Sequence, residues 1–176
     1  IAYIDHITGG GNYAHFKKTL RDCREPGYLI SMDIHDFKII NSICGIIKGD
    51  ETLKNIWRCI EKSLTSKDLA AHINADRFAI YCRCDDKDEV IECIHKIGEG
   101  LKDITEALKI PNIIPYYGIS HWEHGKKVEE AYSEANFAKN QVKERKDISY
   151  QFYSHEDTLK ILENRAMEDE FAGAIS

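Results

Sequence analysis

Residues 28–34, Tyr-Leu-Ile-Ser-Met-Asp-Ile, constrain the fold more than any other stretch. Read as a strand, they place apolar side chains on both faces, and such a strand belongs inside a sheet with helices packed on either side. The stretch delivers Asp33 near its end, a short turn presents Phe37 and Lys38, and a helical segment carries Asn41 and then Asp50. A carboxylate at a strand end can hold a divalent metal, and exposed backbone amides with a lysine can meet phosphates. An amide beside a carboxylate can read a guanine edge by its donors and acceptors. The layout suits a nucleotide.

Around this centre the apolar periodicity predicts alternating helices and strands. Residues 12–24 read as a helix, with Phe16 and Leu20 four apart, after the turn Thr8-Gly9-Gly10-Gly11. No Gly-Lys-Ser/Thr follows these glycines, so they read as a flexible helix entry rather than a phosphate loop. Residues 49–64 repeat Leu53, Ile56, Trp57, Ile60 and Leu64 at helical spacing, with Trp57 in the core rather than stacked on a ligand. Residues 69–73 and 78–84 predict two strands joined as a hairpin by Asn74-Ala75-Asp76-Arg77. A long amphipathic helix over 86–108 stops before Pro111, and a strand over 113–120 precedes a helix through Val128, Ala131, Ala135, Ala138 and Val142. A last short strand is expected over 150–153. This order fits an α/β (α+β) palm-like domain.

At 176 residues the chain is long enough for one domain with a sizeable core. Its formal charge of −6 argues against sequence-blind binding to nucleic acid or to an anionic membrane surface. The six cysteines, Cys23, Cys44, Cys59, Cys82, Cys84 and Cys93, form no Cys-x-x-Cys pair and read as reduced thiols of a cytoplasmic protein. No signal peptide or membrane span is expected. The first residue is not Met, so the chain is read as cut from a longer protein, even one anchored in a membrane elsewhere.

The segment from Asp33 to Asp50 resembles the first signature of the GGDEF family. Asp33, Phe37, Lys38, Asn41, Gly45, Gly49 and Asp50 match it, whereas His35, Ser42 and Ile46 do not. The likeness extends from Asp5-His6-Ile7-Thr8-Gly9 and Asn12 to Ala138-Lys139, about residues 3–153. Active members of this family are diguanylate cyclases that condense two GTP into cyclic di-GMP. The resemblance implies a nucleotidyl-cyclase fold with a ferredoxin-like core, a central mainly antiparallel sheet flanked by helices. It also implies a GGDEF-like domain over 1–154 and a terminal helix over 155–176. That helix is either packed on its own domain or a linker to a following EAL phosphodiesterase domain.

By the same resemblance, Asp33 and Asp76, aided by the carbonyl of Ile34, would hold Mg²⁺. Phe37, Lys38, Lys139 and Lys143 would lie at the triphosphate, and Asn41 and Asp50 at the guanine. The signature hairpin, Gly-Gly-Asp/Glu-Glu-Phe in active members, here reads Asn74-Ala75-Asp76-Arg77-Phe78. Ala75 adds a Cβ where the backbone favours positive φ, at a cost of about 1 kcal/mol, so an altered hairpin is expected. Arg77 puts a cation where the family has an acid, and two-metal catalysis needs the acid. Asp36 adds a repelling carboxylate near the phosphates. The product-inhibition motif Arg-x-x-Asp here reads Thr65-Ser66-Lys67-Asp68, without its arginine. The expectation is a degenerate domain of cyclic di-GMP signalling that binds or senses GTP and regulates a neighbouring EAL or sensor domain. The alternatives are an active cyclase, acting as a homodimer, and a dimerisation or interaction module that binds no nucleotide.

Overall fold

The computed structural model describes residues 2–175; the ends of the expected domain and terminal helix, Ile1 and Ser176, lie outside them. Strand β1 (Gly27–Ile34) is buried along its whole length. It pairs antiparallel with β3 (Arg77–Cys82) on one side and β4 (Pro115–Trp122) on the other. With β2 (Leu69–Asn74) and β5 (Tyr150–Phe152) the sheet has the order β2-β3-β1-β4-β5, and only the β4–β5 pair is parallel. This is the mainly antiparallel sheet expected.

Alternation along β1 sorts two cores. Tyr28, Ile30, Met32 and Ile34 pack with α3 (Ile46–Ser63) and α4 (Lys87–Leu108), through Ile56, Ile60, Ile94 and Ile97. Leu29 faces α1 (Tyr13–Asp22) and α5 (Val128–Lys143), through Phe16, Leu20, Ala131 and Ala135. Ser31 and Asp33 share the α5 side, which decides what Asp33 meets. Gly118 of β4 brings α5 that close: a Cβ there would lie 1.8 Å from the Ala135 carbonyl and 2.4 Å from the Lys139 amide.

Several boundaries differ from expectation for local reasons. The helical segment after Phe37 breaks at Gly45 (φ +85°) into α2 (Phe37–Cys44) and α3. The exposed Ile46 and Ile47 belong to no core stripe, so periodicity hid the first turn of α3. Strand β3 stops at Cys82 because the Cys84 N–H turns back to the Cys82 carbonyl, at 3.1 Å. Strand β4 starts at Pro115 and runs to Trp122, which pairs with Gly27. Trp57 is a core residue, as expected.

The three-glycine turn is built rather than flexible. Asp5 Oδ2 accepts from the Ile7 and Thr8 amides, at 3.1 and 2.7 Å, and from the Thr8 hydroxyl, at 2.8 Å. Gly9 sits at φ +75°, and Gly10 lies against the Trp57 indole, where a Cβ would clash at 2.1 Å. The Gly11 carbonyl accepts the His72 amide, tying the turn to β2. Asn12 caps α1, its Oδ1 accepting from the His15 amide.

The terminal helix α6 (His155–Ile175) has no buried residue. Leu159, Leu162, Met167, Phe171 and Ile175 are exposed on it. Among the described residues no helix is long and apolar enough to cross a membrane.

Candidate functional site

Asp33 emerges at the end of β1, 7% exposed, on the face covered by α5. Lys139, which sequence reasoning placed at a triphosphate, points inward instead and is 3% exposed. Its ammonium donates to Asp33 Oδ1 at 2.8 Å, to Ser31 Oγ at 3.0 Å and to Asn136 Oδ1 at 3.1 Å. Ser31 in turn donates to Asn136 Oδ1. Burial lowers the Lys139 pKa from the ordinary lysine value, while the Asp33 carboxylate works in the opposite direction. The second Asp33 oxygen accepts from the Tyr116 hydroxyl at 3.3 Å. Burial pushes that hydroxyl's pKa well up, and Asp33 adds to the shift.

The hairpin closes over this pair. Asn74 opposes Arg77, leaving Ala75 and Asp76 as a two-residue turn, with a register shift between His72 and Asn74. Ala75 holds φ +45° despite its Cβ, so the residue expected to disfavour a left-handed turn adopts one. Its carbonyl accepts from His72 Nε2 at 2.7 Å, a bond that helps offset the strain. Asp76 Oδ2 accepts from the Ile34 amide at 3.0 Å, docking the hairpin on the end of β1. Arg77 Nε stands 3.8 Å from Asp33 Oδ2, with the arginine side chain 56% exposed. Phe78 is in the core.

The remaining predicted residues divide. Phe37 is buried in the α3/α4 core, so its side chain is packing and not ligand contact. Lys38 and Lys143 are exposed. Lys143 lies near enough to His35 to help lower that ring's pKa, although burial is the larger cause. His35 stacks on Tyr116 with centroids 4.2 Å apart. Asn41 lies against Gly49, whose missing side chain makes room for the amide: a Cβ would stand 1.8 Å from Asn41 Oδ1. Asp50 is half-buried one residue further along α3. Asp36 is exposed at the start of α2 with φ +53°.

The donor set around Asp33 and Asp76 does not fit the divalent ion that the sequence suggested. One Asp33 oxygen is taken by an internal ammonium and the other faces a phenol and a guanidinium. Asp76 directs an oxygen at the Ile34 amide. Mg²⁺ requires several oxygen ligands in octahedral array and carboxylates free to supply charge. Among the described residues no group of three or more His, Cys, Asp or Glu side chains is set to hold a metal.

Sequence reasoning missed Ser31, Asn136, Tyr116 and His72. Two of these carried a signal: Ser31 shares a strand face with Asp33, and Asn136 lies one helical turn before Lys139. The Thr65-Ser66-Lys67-Asp68 turn uses Asp68 for the backbone, accepting from the Thr65 and Arg83 amides at 2.9 and 3.0 Å.

A five-stranded sheet of this order, with a carboxylate at the end of its middle strand and a hairpin folded over it, is a nucleotidyl-cyclase-like arrangement. The family model described as diguanylate cyclase, GGDEF domain, matches residues 2–148, and the chain belongs to the GGDEF family. It is 29% identical over 115 residues to the probable diguanylate cyclase DgcC of Escherichia coli, covering 61% of this chain and 30% of that protein. It is 24% identical over 184 residues to the cyclic di-GMP phosphodiesterase NbdA of Pseudomonas aeruginosa, covering 99% of this chain and 24% of that protein. The chain thus spans about a third or less of these relatives' length. Among solved structures, the GGDEF domain of Pseudomonas aeruginosa TpbB superposes with a TM-score of 0.77 at 22% identity, covering 91% of this chain and 99% of that one. The S helix-GGDEF-EAL portion of Vibrio cholerae LapD, bound to c-di-GMP, gives 0.74 at 18% identity over 96% of this chain and 43% of that one.

Proposed function

We propose that this GGDEF domain of cyclic di-GMP signalling makes no cyclic di-GMP, binds GTP, and passes its liganded state through α6 to a neighbouring domain such as an EAL phosphodiesterase. The observation that carries this reading is Arg77, whose guanidinium stands 3.8 Å from Asp33 in the signature hairpin. Condensing two GTP requires charge that places metal ions, activates a 3′-hydroxyl and stabilises the α-phosphate. A cation in the hairpin opposes the placement of metal ions and, with it, metal activation of the 3′-hydroxyl. What supports retained recognition is Asn41 seated on Gly49 with Asp50 beside it, and the exposed Lys38 and Lys143. The likeness to a phosphodiesterase and to a GGDEF-EAL chain supports the neighbouring domain. Coupling operates if GTP prefers one arrangement of hairpin and helix over another.

The test is calorimetric titration of GTP into the protein, with ATP as control and product analysis of the same sample. GTP-selective binding without cyclic di-GMP is the expected result. Cyclic di-GMP formed in proportion to dimer would establish an active cyclase, and absence of nucleotide binding would leave an interaction module. The active-cyclase reading draws on one observation, the positive φ that Ala75 keeps without glycine.

A further inference from the structure

We infer that this domain supplies from its own side chains the positive charge that a divalent cation would bring, so that the Asp33–Asp76 cluster excludes metal and any triphosphate is held metal-free. The inference deepens the GTP reading above and rests on it only for the nucleotide. Its basis is charge and geometry. Two carboxylates, Asp33 and Asp76, are opposed by two cations, Lys139 and Arg77, and the cluster closes with no net charge. The two cations differ in task. Lys139 is interior and donates to three groups, Asp33, Ser31 and Asn136, while the Tyr116 hydroxyl donates to the far oxygen of Asp33. It removes the negative charge that would otherwise repel a phosphate.

Arg77 is the outer cation. At 3.8 Å its Nε only approaches Asp33, and its side chain is 56% exposed, so the planar fork remains available toward solvent. A guanidinium so placed matches a phosphate's oxygens with two parallel N–H groups, which a hydrated Mg²⁺ would otherwise bridge. Lys38 in the first turn of α2 and Lys143 at the end of α5, near His35, are two further exposed cations for a polyanion. A dication entering here would meet an ammonium and a guanidinium on the very carboxylate it needs, and Mg²⁺ gives up its water only for stronger ligands.

Two measurements on the intact protein test this. The first is direct titration with Mn²⁺, followed by electron paramagnetic resonance, on wild type, Arg77→Gln and Arg77→Glu. Wild type is expected to bind no Mn²⁺ in the millimolar range, and Arg77→Glu to acquire a site that Asp33→Asn removes again. Mn²⁺ bound by wild type and lost in Asp33→Asn would overturn the inference. The second is the GTP affinity in excess EDTA against millimolar Mg²⁺. Wild type is expected to differ by less than about threefold between the two, and Arg77→Glu to lose about tenfold in EDTA and recover with Mg²⁺. Binding by wild type only with Mg²⁺ overturns the inference while leaving the GTP reading intact. If GTP binds in neither buffer, the GTP reading falls and the Mn²⁺ comparison decides this one alone. Circular dichroism of each variant guards against misfolding, and Arg77→Gln, which removes charge without reversing it, is expected to lie between the other two.

Discussion

At the scale of single residues, the hairpin is held by a side chain the nucleotide chemistry does not use. His72 is 1% exposed, and both ring nitrogens face acceptors. Nε2 bonds the Ala75 carbonyl at 2.7 Å, and Nδ1 stands 2.9 Å from Asp5 Oδ1, at ion-pair distance though not aligned as a hydrogen bond. The N-terminal turn and the signature hairpin are thereby linked through one imidazole. Asp5 records this in its acidity. Burial alone would raise its pKa, but the Thr8 amide and hydroxyl and the His72 ring outweigh it and hold the carboxyl below its ordinary 3.8. A carboxyl whose folded pKa is depressed favours the folded state when ionised. Its contribution is therefore complete above about pH 4 and is lost as the pH falls through the lowered value. Asp5→Asn is expected to cost roughly 1–2 kcal/mol at neutral pH and to flatten the acid limb below pH 4, read from urea unfolding across pH. An acid limb as steep in Asp5→Asn as in wild type would refute the assignment.

At the scale of elements, what the sequence disclosed and what it hid separate by range. Strand β1, the hairpin, α4 and α5 are legible because periodicity within one element reports burial, and Asp33 is placed because it ends an unmistakable strand. Lys139 is misplaced because its partner is set by the approach of α5 to β4, and that approach depends on the absent side chain of Gly118, twenty-one positions away in the chain. No local pattern reports that a lysine in a helix will turn inward to a carboxylate over a hundred residues earlier. Ala75 is misjudged for the same reason, since His72 and the docking of Asp76 on Ile34 fix the turn from outside it. The α5–β4 contact makes its own prediction. Gly118→Ala would drive a methyl into the Ala135 carbonyl and the Lys139 backbone, which are parts of one helix and cannot give way separately. A loss of at least about 2 kcal/mol in denaturant stability is expected. A loss below about 0.5 kcal/mol, with Lys139 still buried, would show that α5 rides higher than described.

At the scale of the molecule, the sheet and its two helical layers form the domain, and α6 contributes none of its residues to either core. In this 21-residue helix only Thr158 and Ile161 are half-buried, and with so little packing it is marginal in water, because nucleation is costly and propagation barely favourable. Apolar side chains stand exposed along it, Leu159, Leu162, Met167, Phe171 and Ile175, and would be covered by a neighbouring domain if this segment is the connector proposed. That arrangement gives the signalling reading a direct physical handle. The α6 amides beyond the first turn are expected to exchange with deuterium within seconds in the domain alone, while β1 and β3 amides stay protected, because local stability follows burial. Removing residues 159–175 should then shift the thermal midpoint by less than about 2 °C, because Ile161 alone among them is half-buried and exposed surface residues contribute little. Addition of GTP should slow exchange in the hairpin and in the first turns of α6, where Thr158 and Ser154 join the helix to the end of β5. Exchange in α6 that is slow without ligand would mean the helix is already packed, and exchange unaltered by bound GTP would separate nucleotide binding from any signal carried through this helix.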